Sequence, residues 1–245
     1  MAMNRASFAK MLEPGLNTLF GLEYDQYPAE YAAVFASNTS QKAFEEDVLL
    51  SGFGSAPTKS EGSAISYDDA GQQWTARYQH ETVALAFSIT EEAEEDGQYG
   101  SIASRYTKAL ARSMASTKEI KAANVLNNAT TANGGDGTTL LSATHPTQNG
   151  NQSNTLATAA DLSEVSLEAI LIQIADMKDD RGLRIAAQGM QLVIPTAYTF
   201  VAERLLESQL RTGTADNDIN AIKSGGYLPK GYHVMRRLTD ADGFF

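Results

Sequence analysis

The chain has 245 residues, of which 42% are hydrophobic, so it can bury a sizeable core in one large or two small domains. It contains no cysteine, which excludes disulfides, thiolate metal sites and cysteine nucleophiles and is typical of a reducing compartment. Its formal net charge of -11 argues against nucleic-acid binding, and no lysine or arginine cluster suggests it. No apolar run could span a bilayer, and the N-terminus lacks the apolar core of a signal peptide. We therefore expect a folded protein of cytoplasmic origin with no membrane partner.

The N-terminal region predicts short helices. Apolar residues from Phe8 to Phe20 recur at helical spacing, but Pro14-Gly15 interrupts them, so two short pieces are expected rather than one helix. Pro28 is well placed at the start of a further helix that would end near Asn38. We interpret this region as an arm or a small docking element.

A predicted β-hairpin follows a glycine- and serine-rich loop at residues 51–63. Two extended runs flank a turn at residues 68–71. One face of the second run carries Trp74, Ala76, Tyr78 and His80. From residue 83 the apolar phase reverses, so this strand is expected to continue to residue 89 in a new environment, with a bulge near His80. An isolated hairpin is marginal in water, so one with these aromatic residues should lie against its own core or another chain.

The strongest helical pattern runs from Tyr99 to Leu126. Apolar and small residues keep close to a 3.6-residue period there, which predicts a long helix with one buried face that ends near Asn127. The acidic run at residues 91–96 lies where a helix N-terminus favours negative charge. Residues 130–139 have the composition of a loop.

A second helix is expected to begin near Asp161 or Ser163. Asp161 and Glu164 have capping-box spacing, and the apolar pattern continues to a glycine stop at Gly182.

The C-terminal part mixes strands with a third helix. Residues 190–194 predict a buried strand, Pro195 suits the start of a helix, and the chain ends in an extended region. Strands and helices do not alternate regularly, which predicts the α+β class.

The three histidines offer little chemistry. His145 lies in a loop rich in hydroxyls and amides, with Ser142 nearby, but no Gly-x-Ser-x-Gly elbow is present. A His-Pro turn is therefore favoured over a catalytic base. His80 and His233 do not have metal-ligand spacing to it, so we expect no metal site.

Other motifs also favour structural roles. Residues 216–220 begin like a calcium loop and then depart from it, which favours helix capping or a turn. The pairs Gly134-Gly135 and Gly225-Gly226 match no nucleotide-binding motif. We predict a protein that is not an enzyme and has no catalytic residue or cofactor.

Several short motifs follow one another in order along most of the chain. They are AFEED at 43–47, EGSAISYDD at 61–69, FSITE at 87–91, KEIKAANVLN at 118–127, LSATHP at 141–146, DDRGL at 179–183, LVIP at 192–195, AERLL at 202–206 and TADNDIN at 214–220. This ordered set resembles the major capsid proteins, or major head subunits, of tailed double-stranded DNA bacteriophages, in the branch related to Mu-type head subunits.

The resemblance implies a capsid fold in four parts. These are an N-terminal arm over residues 1–50, an extended hairpin loop over 51–90, a peripheral domain with a long spine helix over 91–160, and a mainly axial domain over 161–245. The end of the axial part is expected to return toward the peripheral domain. Family members usually continue with further strand sequence there, so a truncated or unusually closed end is expected at Phe245.

The resemblance also implies the partners. Copies would close into capsomers, as hexamers and pentamers, and then into an icosahedral shell that encloses double-stranded DNA without sequence-specific binding. No fused scaffolding segment is evident, so a separate scaffolding protein, a maturation protease and a portal are expected partners. The shell would be assembled in the host bacterial cytoplasm and would form the virion capsid.

In this family the extended loop lies over a neighbouring subunit, which indicates where subunits meet. The candidate inter-subunit contacts are Trp74, Arg77, Tyr78, His80, Lys59, Phe8 and Leu12. Some relatives cross-link a loop lysine to an asparagine, and Lys59 is the only lysine in this loop, but no partner asparagine can be named. Replacing both Trp74 and Tyr78 with alanine is expected to leave the subunit folded and to impair assembly.

Two alternatives remain open at this point. The same fold could form a nanocompartment that holds a protein guest instead of DNA. A hydrolase that uses His145 is a more remote possibility.

Overall fold

The computed structural model describes residues 9–88, 99–211 and 218–245, without the side chains of residues 9–15 and 99–101. Its helices are α1 (Ala9–Asp25), α2 (Tyr99–Asn127), α3 (Glu164–Ala175), α4 (Thr199–Glu207) and α5 (Ala221–Gly225). Its strands are β1 (Phe44–Ser51), β2 (Gly71–Gln79), β3 (His145–Thr147), β4 (Gly150–Gln152), β5 (Leu192–Ile194) and β6 (Tyr232–Val234). Short 3-10 helices occupy Glu30–Ala33 and Thr196–Tyr198. The strands form three two-stranded sheets, and the mixture confirms the α+β class.

The chain forms two compact units, each built from two stretches. The first contains residues 1–37 and 81–123, and the second contains residues 38–80 and 124–245. The passage from the second unit back to the first falls directly after His80, where the apolar phase of the sequence reverses. No described helix is long and apolar enough to cross a lipid bilayer.

In the first unit, α1 is one helix rather than the two short pieces expected. It runs through Pro14 and Gly15 and continues to Asp25. A proline lacks one backbone donor, and Pro14 is the sixth residue of α1, so it removes one hydrogen bond near the start of the helix rather than from its middle. The interruption is therefore small. Further along the helix, Glu23 forms a 2.6 Å ion pair with Lys108 of α2.

The helix expected from Pro28 to Asn38 is reduced to the 3-10 turn at Glu30–Ala33. This turn is held from outside, because the N–H of Tyr31 donates to the Glu119 carboxylate at 3.2 Å. The ammonium group of Lys118 also lies 5.5 Å from the centre of the Tyr31 ring.

The long helix is confirmed as α2, with 29 residues. Its buried positions include small residues one turn apart, namely Ala103, Thr107 and Ala111, so the helix is closely covered on that side. Tyr106, which belongs to the apolar pattern that predicted this helix, is exposed rather than buried and packs on Phe87 with ring centres 5.9 Å apart. The acidic run at 91–96 lies outside the described residues.

The strand expected over residues 83–89 is absent from its described part, since residues 80–88 form no ladder. β2 ends at Gln79, close to the point where the chain leaves the second unit. Among the described residues only β1 pairs with β2, and β1 belongs to the second unit.

In the second unit, β2 pairs with β1 and not with the run just before the turn at 68–71. The ladder is antiparallel, with Glu46 opposite Arg77 and Asp47 opposite Ala76, and its bulge lies between Val48 and Leu50 rather than near His80. Residues 52–70 contain glycine, serine and proline and form the connection, whereas β1 contains the strand-favouring Val48. We call residues 44–79 the extended hairpin.

The buried strand β5 is confirmed, with all three residues buried, and it pairs in parallel with β6. A core of buried apolar residues surrounds it: Leu162, Leu167, Leu192, Ile194, Ala202, Leu206 and Ile222. Pro195 introduces the 3-10 turn that leads into α4, as expected. Phe245 exchanges two backbone hydrogen bonds with Val193, at 2.7 and 2.9 Å.

Helix α3 begins as expected but by a different cap. Ser163 caps it in a reciprocal capping box with Ser166, and Asp161 contributes only its backbone carbonyl. The helix ends at Ala175 instead of Gly182. Gly182 has a φ of 88°, which serves a separate turn, in which the Asp179 carboxylate accepts bonds from the backbone N–H groups of residues 181 and 183.

Candidate interaction surface

The extended hairpin exposes many apolar side chains for a two-stranded structure. Tyr67 is 93% exposed and Leu50 is 75% exposed. Further exposed apolar residues are Phe53, Ile65 and Tyr78. Apolar surface of this kind on a small ribbon is typical of a protein interaction site.

One face of the hairpin is held by a cross-strand pair. Arg77 on β2 lies directly opposite Glu46 on β1, and its guanidinium approaches the carboxylate to 2.5 Å. The same guanidinium lies 4.5 Å from the centre of the Phe44 ring. Arg77 was expected at a subunit contact, and within the chain it stabilises the pairing of the two strands.

The opposite face rests on the loop at residues 133–139. A Cβ atom added to Gly135 would lie 2.5 Å from the Trp74 ring and 2.8 Å from the Cβ of Ala76. Any larger residue at position 135 would therefore push the strand away. Ala76 is buried and Trp74 keeps 36% of its surface exposed, so the aromatic face identified in the sequence lies partly against its own chain.

An ion pair anchors the loop of the hairpin at residues 52–70. Asp68 accepts the backbone N–H of Gly54 at 2.7 Å and pairs with the guanidinium of Arg181, which in turn donates to the Gln148 side chain at 2.6 Å. The hydrogen bond from Gly54, followed by the one from Arg181, lowers the pKa of Asp68. Asp68 is therefore ionised at neutral pH and joins the root of the loop to two turns of the second unit.

His145 lies beneath the Gly135 loop as part of a compact polar cluster. Its Nδ1 is 2.6 Å from a carboxylate oxygen of Asp136, and that oxygen also accepts the Thr138 hydroxyl at 2.7 Å. Burial by itself raises the pKa of Asp136, but the hydrogen bonds from His145 and Thr138 outweigh it and lower the pKa. An ionised carboxylate can only accept, so Nδ1 carries the proton that faces Asp136.

This cluster lacks the arrangement of a hydrolase. A catalytic histidine that is oriented by a carboxylate at Nδ1 needs a nucleophile at Nε2. The Nε2 of His145 is buried and has no hydrogen-bond partner among the described residues. The Ser142 hydroxyl instead bonds with Thr144, accepting its N–H at 3.1 Å. Sequence reasoning identified the histidine but missed Asp136 and Gly135, although an Asp-Gly-Thr run is a recognisable turn signal.

The other predicted contact residues are dispersed. His80 is exposed at the end of β2, where its N–H donates to the carbonyl of Ala43 at 3.2 Å. Lys59 is exposed in the loop of the extended hairpin. Leu12 belongs to α1, but its side chain is not described, and Phe8 lies outside the described residues.

The motif at residues 216–220 is described only from residue 218 on. Asn220 caps α5, with its Oδ1 accepting the N–H groups of Ile222 and Lys223, which confirms the expected capping role. Its amide nitrogen also donates to the carbonyls of Leu205 and Ser208, at 2.7 and 3.0 Å. The described residues contain no group of three or more histidine or acidic side chains that could hold a metal ion.

Comparison with known proteins gives a consistent result. Residues 72–244 match the family model described as phage capsid protein. None of the curated proteins matches the chain. The capsid of bacteriophage JBD30 has 14% sequence identity and a TM-score of 0.64, and the match covers 87% of this chain and 92% of that one.

Two further JBD30 structures are similar. One is the capsid decorated with minor capsid protein trimers, with 15% identity, a TM-score of 0.60 and coverage of 86% of this chain and 90% of that one. The other is the procapsid, with 16% identity, a TM-score of 0.56 and coverage of 92% and 98%. At these identities the likeness establishes the capsid fold, while the family model covers most of the chain. The chain belongs to the phage capsid protein family and is a structural protein of a phage capsid shell.

Proposed function

We propose that this chain is the self-assembling major head subunit and that the extended hairpin joins one copy to the next by lying over a neighbouring subunit. The observation that carries the proposal is the exposure of Leu50 on β1 and of Tyr67 in the loop that joins β1 to β2. A second subunit would remove this apolar surface from water. At about 25 cal/mol per Å² of apolar area, covering a few such side chains stabilises each contact by several kcal/mol.

The proposed shell consists of hexamers and pentamers and encloses double-stranded DNA. The net charge of -11 supports weak, sequence-independent contact with that DNA, because a basic wall would hold it during packaging. A separate scaffolding protein, a maturation protease and a portal are the proposed partners, with assembly in the host bacterial cytoplasm. The procapsid and the decorated capsid of JBD30 support a precursor shell and a minor capsid protein here as well.

The four-part division remains part of the proposal. Residues 1–50 would be the arm, with β1 at its end paired to β2 in the extended hairpin, 51–90 the extended loop, 91–160 the peripheral domain and 161–245 mainly the axial domain. The length of α2 supports its role as the spine of the peripheral part. Membership of the Mu-type branch rests on the sequence motifs.

We further propose a purely structural role for the chain. The His145 side chain supports this, because Asp136 occupies one ring nitrogen and the other has no partner among the described residues. Shells that retain DNA and carry no protein guest would distinguish a phage capsid from a nanocompartment.

The test is negative-stain electron microscopy of the purified protein. The unmodified chain should form shells, tubes or capsomers, whereas Leu50→Ser combined with Tyr67→Ser should leave folded subunits that do not assemble. The matched control is Thr58→Ala with Ser66→Ala, which changes the same extended hairpin but removes no large apolar side chain and should assemble normally. Normal shells from the Leu50 and Tyr67 variant would refute the assembly role of this surface.

A further inference from the structure

We infer that His145 is a positioning residue for the extended hairpin: acting through Asp136, it holds the loop on which Trp74 rests. The inference deepens the proposed function, because it rests on the hairpin being the part of the subunit that reaches a neighbour. His145 would support the hairpin from within its own subunit, away from the proposed contact with a neighbouring subunit.

The supporting loop at residues 133–139 is closed by its own backbone and organised around Asp136. A bridge between Asn133 and Thr139 closes it, and the N–H of Gly134 donates to the carbonyl of Thr138 at 2.7 Å. Inside the loop the Asp136 carboxylate accepts the N–H and the hydroxyl of Thr138, at 3.1 and 2.7 Å. The loop is thus arranged around one carboxylate, and an ionised group needs each of these donors when it is buried.

His145 links this loop to the rest of the second unit. The 2.6 Å bond from His145 is the contact that ties this carboxylate to the β3–β4 hairpin. The Thr138 hydroxyl lies 3.1 Å from the same ring nitrogen, so the three side chains are mutually in contact. Removing the histidine donor would leave Asp136 short of one hydrogen bond and would free the loop from β3.

The loop contacts the extended hairpin at Gly135. Gly135 is adjacent to Asp136, and its Cα hydrogens face the Trp74 ring so closely that even a methyl group would collide with it. A displacement of the loop would therefore move Trp74 or open a gap beneath it. Trp74 lies in the middle of β2, so its support also sets the direction of that strand.

The two ring nitrogens of His145 lie in different environments. Only Nδ1 has a partner among the described residues, while Nε2 is buried without one. The amide nitrogen of an asparagine occupies nearly the position of Nδ1, and that of a glutamine reaches nearer to Nε2. His145→Asn should therefore preserve the support, and His145→Gln and His145→Leu should lose it.

The experiment uses fluorescence, because Trp74 is the only tryptophan in the chain. Emission wavelength and acrylamide quenching are measured on the full chain before assembly, and shells are then counted by electron microscopy. We expect His145→Leu and His145→Gln to shift the emission to the red, to increase quenching and to lower the yield of shells. His145→Asn should resemble the unmodified chain, and Gly135→Ala, which disturbs Trp74 directly, provides the reference for a displaced ring.

Each outcome is decisive. Unchanged Trp74 emission in His145→Leu, or an equal red shift in His145→Asn, would overturn the inference whatever the shells look like. A red shift confined to His145→Leu and His145→Gln, with normal shells, would support the positioning role and refute the assembly role of the hairpin. If His145→Leu does not fold, Thr138→Val removes only the hydroxyl and must shift the emission in the same direction for the inference to stand.

Discussion

Asp68 and Arg181 form an ion pair across 113 residues of sequence, and it ties the loop at residues 52–70 to the turn after α3. Arg181 is partly shielded from water, and Gln148 holds its other guanidinium nitrogen. The loop that carries the exposed Tyr67 is thus attached at its root by this ion pair. An exposed hydrophobic loop needs such an attachment if it is to present a defined shape to a neighbouring subunit.

Breaking this pair should loosen the loop without unfolding the subunit. Asp68→Asn removes the charge and weakens the bond to Gly54, so the loop should open more often. Lys59 is the only lysine or arginine between residues 52 and 70, which makes tryptic cleavage after it a direct measure of opening. We expect faster cleavage of the unassembled variant, as detected by mass spectrometry.

Asp69→Asn is the matched control, because it removes the neighbouring charge and leaves the ion pair intact. Equal cleavage rates for the Asp68 and Asp69 variants would show that the ion pair does not hold the loop.

The Asp136 cluster predicts a loss of stability in acid. The pKa of this carboxyl is lowered from its ordinary value of 3.8, so the ionised form is favoured by folding. Its contribution is fully present above that value and is lost as the pH falls through the lowered pKa of the folded state. The difference in unfolding free energy between the unmodified subunit and Asp136→Asn should therefore shrink below about pH 4.

Urea unfolding of unassembled subunits at several pH values measures this difference. Asp47→Asn, which removes an exposed carboxylate from the same unit, should show a smaller effect throughout. A difference for Asp136→Asn that does not vary with pH would contradict the prediction.

Long periodic elements could be predicted from the sequence, and contacts between distant segments could not. α2 and β5 follow from local patterns, since a helical period over many residues and a continuous apolar run each identify one element. The pairing of β1 with β2 was missed because nothing local indicates that a strand takes its partner from beyond a long loop. Gly182 was misassigned because a helix stop and a turn both need a positive φ, and the sequence does not distinguish them.

The candidate interaction surface was likewise predicted only in part. The alternation in β2 identified the face that carries Trp74 and indicated that this face needs a partner. The alternation could not reveal that Gly135 of the same chain contacts Trp74. His145 was recognised as structural, and its partner Asp136 was not, because the bond depends on how a loop folds back onto β3.

The core around β5 predicts a sharp contrast between two positions of α3. Leu167 is 2% exposed and packs in this core, so Leu167→Ala should cost about 2–5 kcal/mol of unfolding free energy. Val165, two residues away, is 68% exposed, and Val165→Ala should change the stability by less than about 0.5 kcal/mol. Chemical denaturation of the subunits measures both, and similar losses would mean that α3 packs by another face.

Asn220 combines two roles that can be separated by substitution. Its oxygen caps α5, and its amide nitrogen donates to two carbonyls near the end of α4. Asn220→Ala removes both and should cost about 1–3 kcal/mol, since the side chain is buried. Asn220→Asp keeps the capping oxygen, gains a charge and loses the donors. Both variants should unfold at a lower temperature than the unmodified subunit. An unchanged melting temperature for Asn220→Ala would refute the capping role.

Trp74 and Tyr78 should respond differently to substitution, although they lie on the same face of β2. Trp74 rests on Gly135, so Trp74→Ala should leave a cavity, lower the thermal stability of the subunit and impair assembly through a displaced hairpin. Tyr78 is 55% exposed, and Tyr78→Ala should leave the stability of the subunit nearly unchanged and act on shell formation alone. Circular dichroism melts paired with particle counts by electron microscopy measure the two effects. If Tyr78→Ala destabilises the subunit as much as Trp74→Ala does, Tyr78 belongs to the packing of its own chain and the contact with a neighbour lies elsewhere on the hairpin.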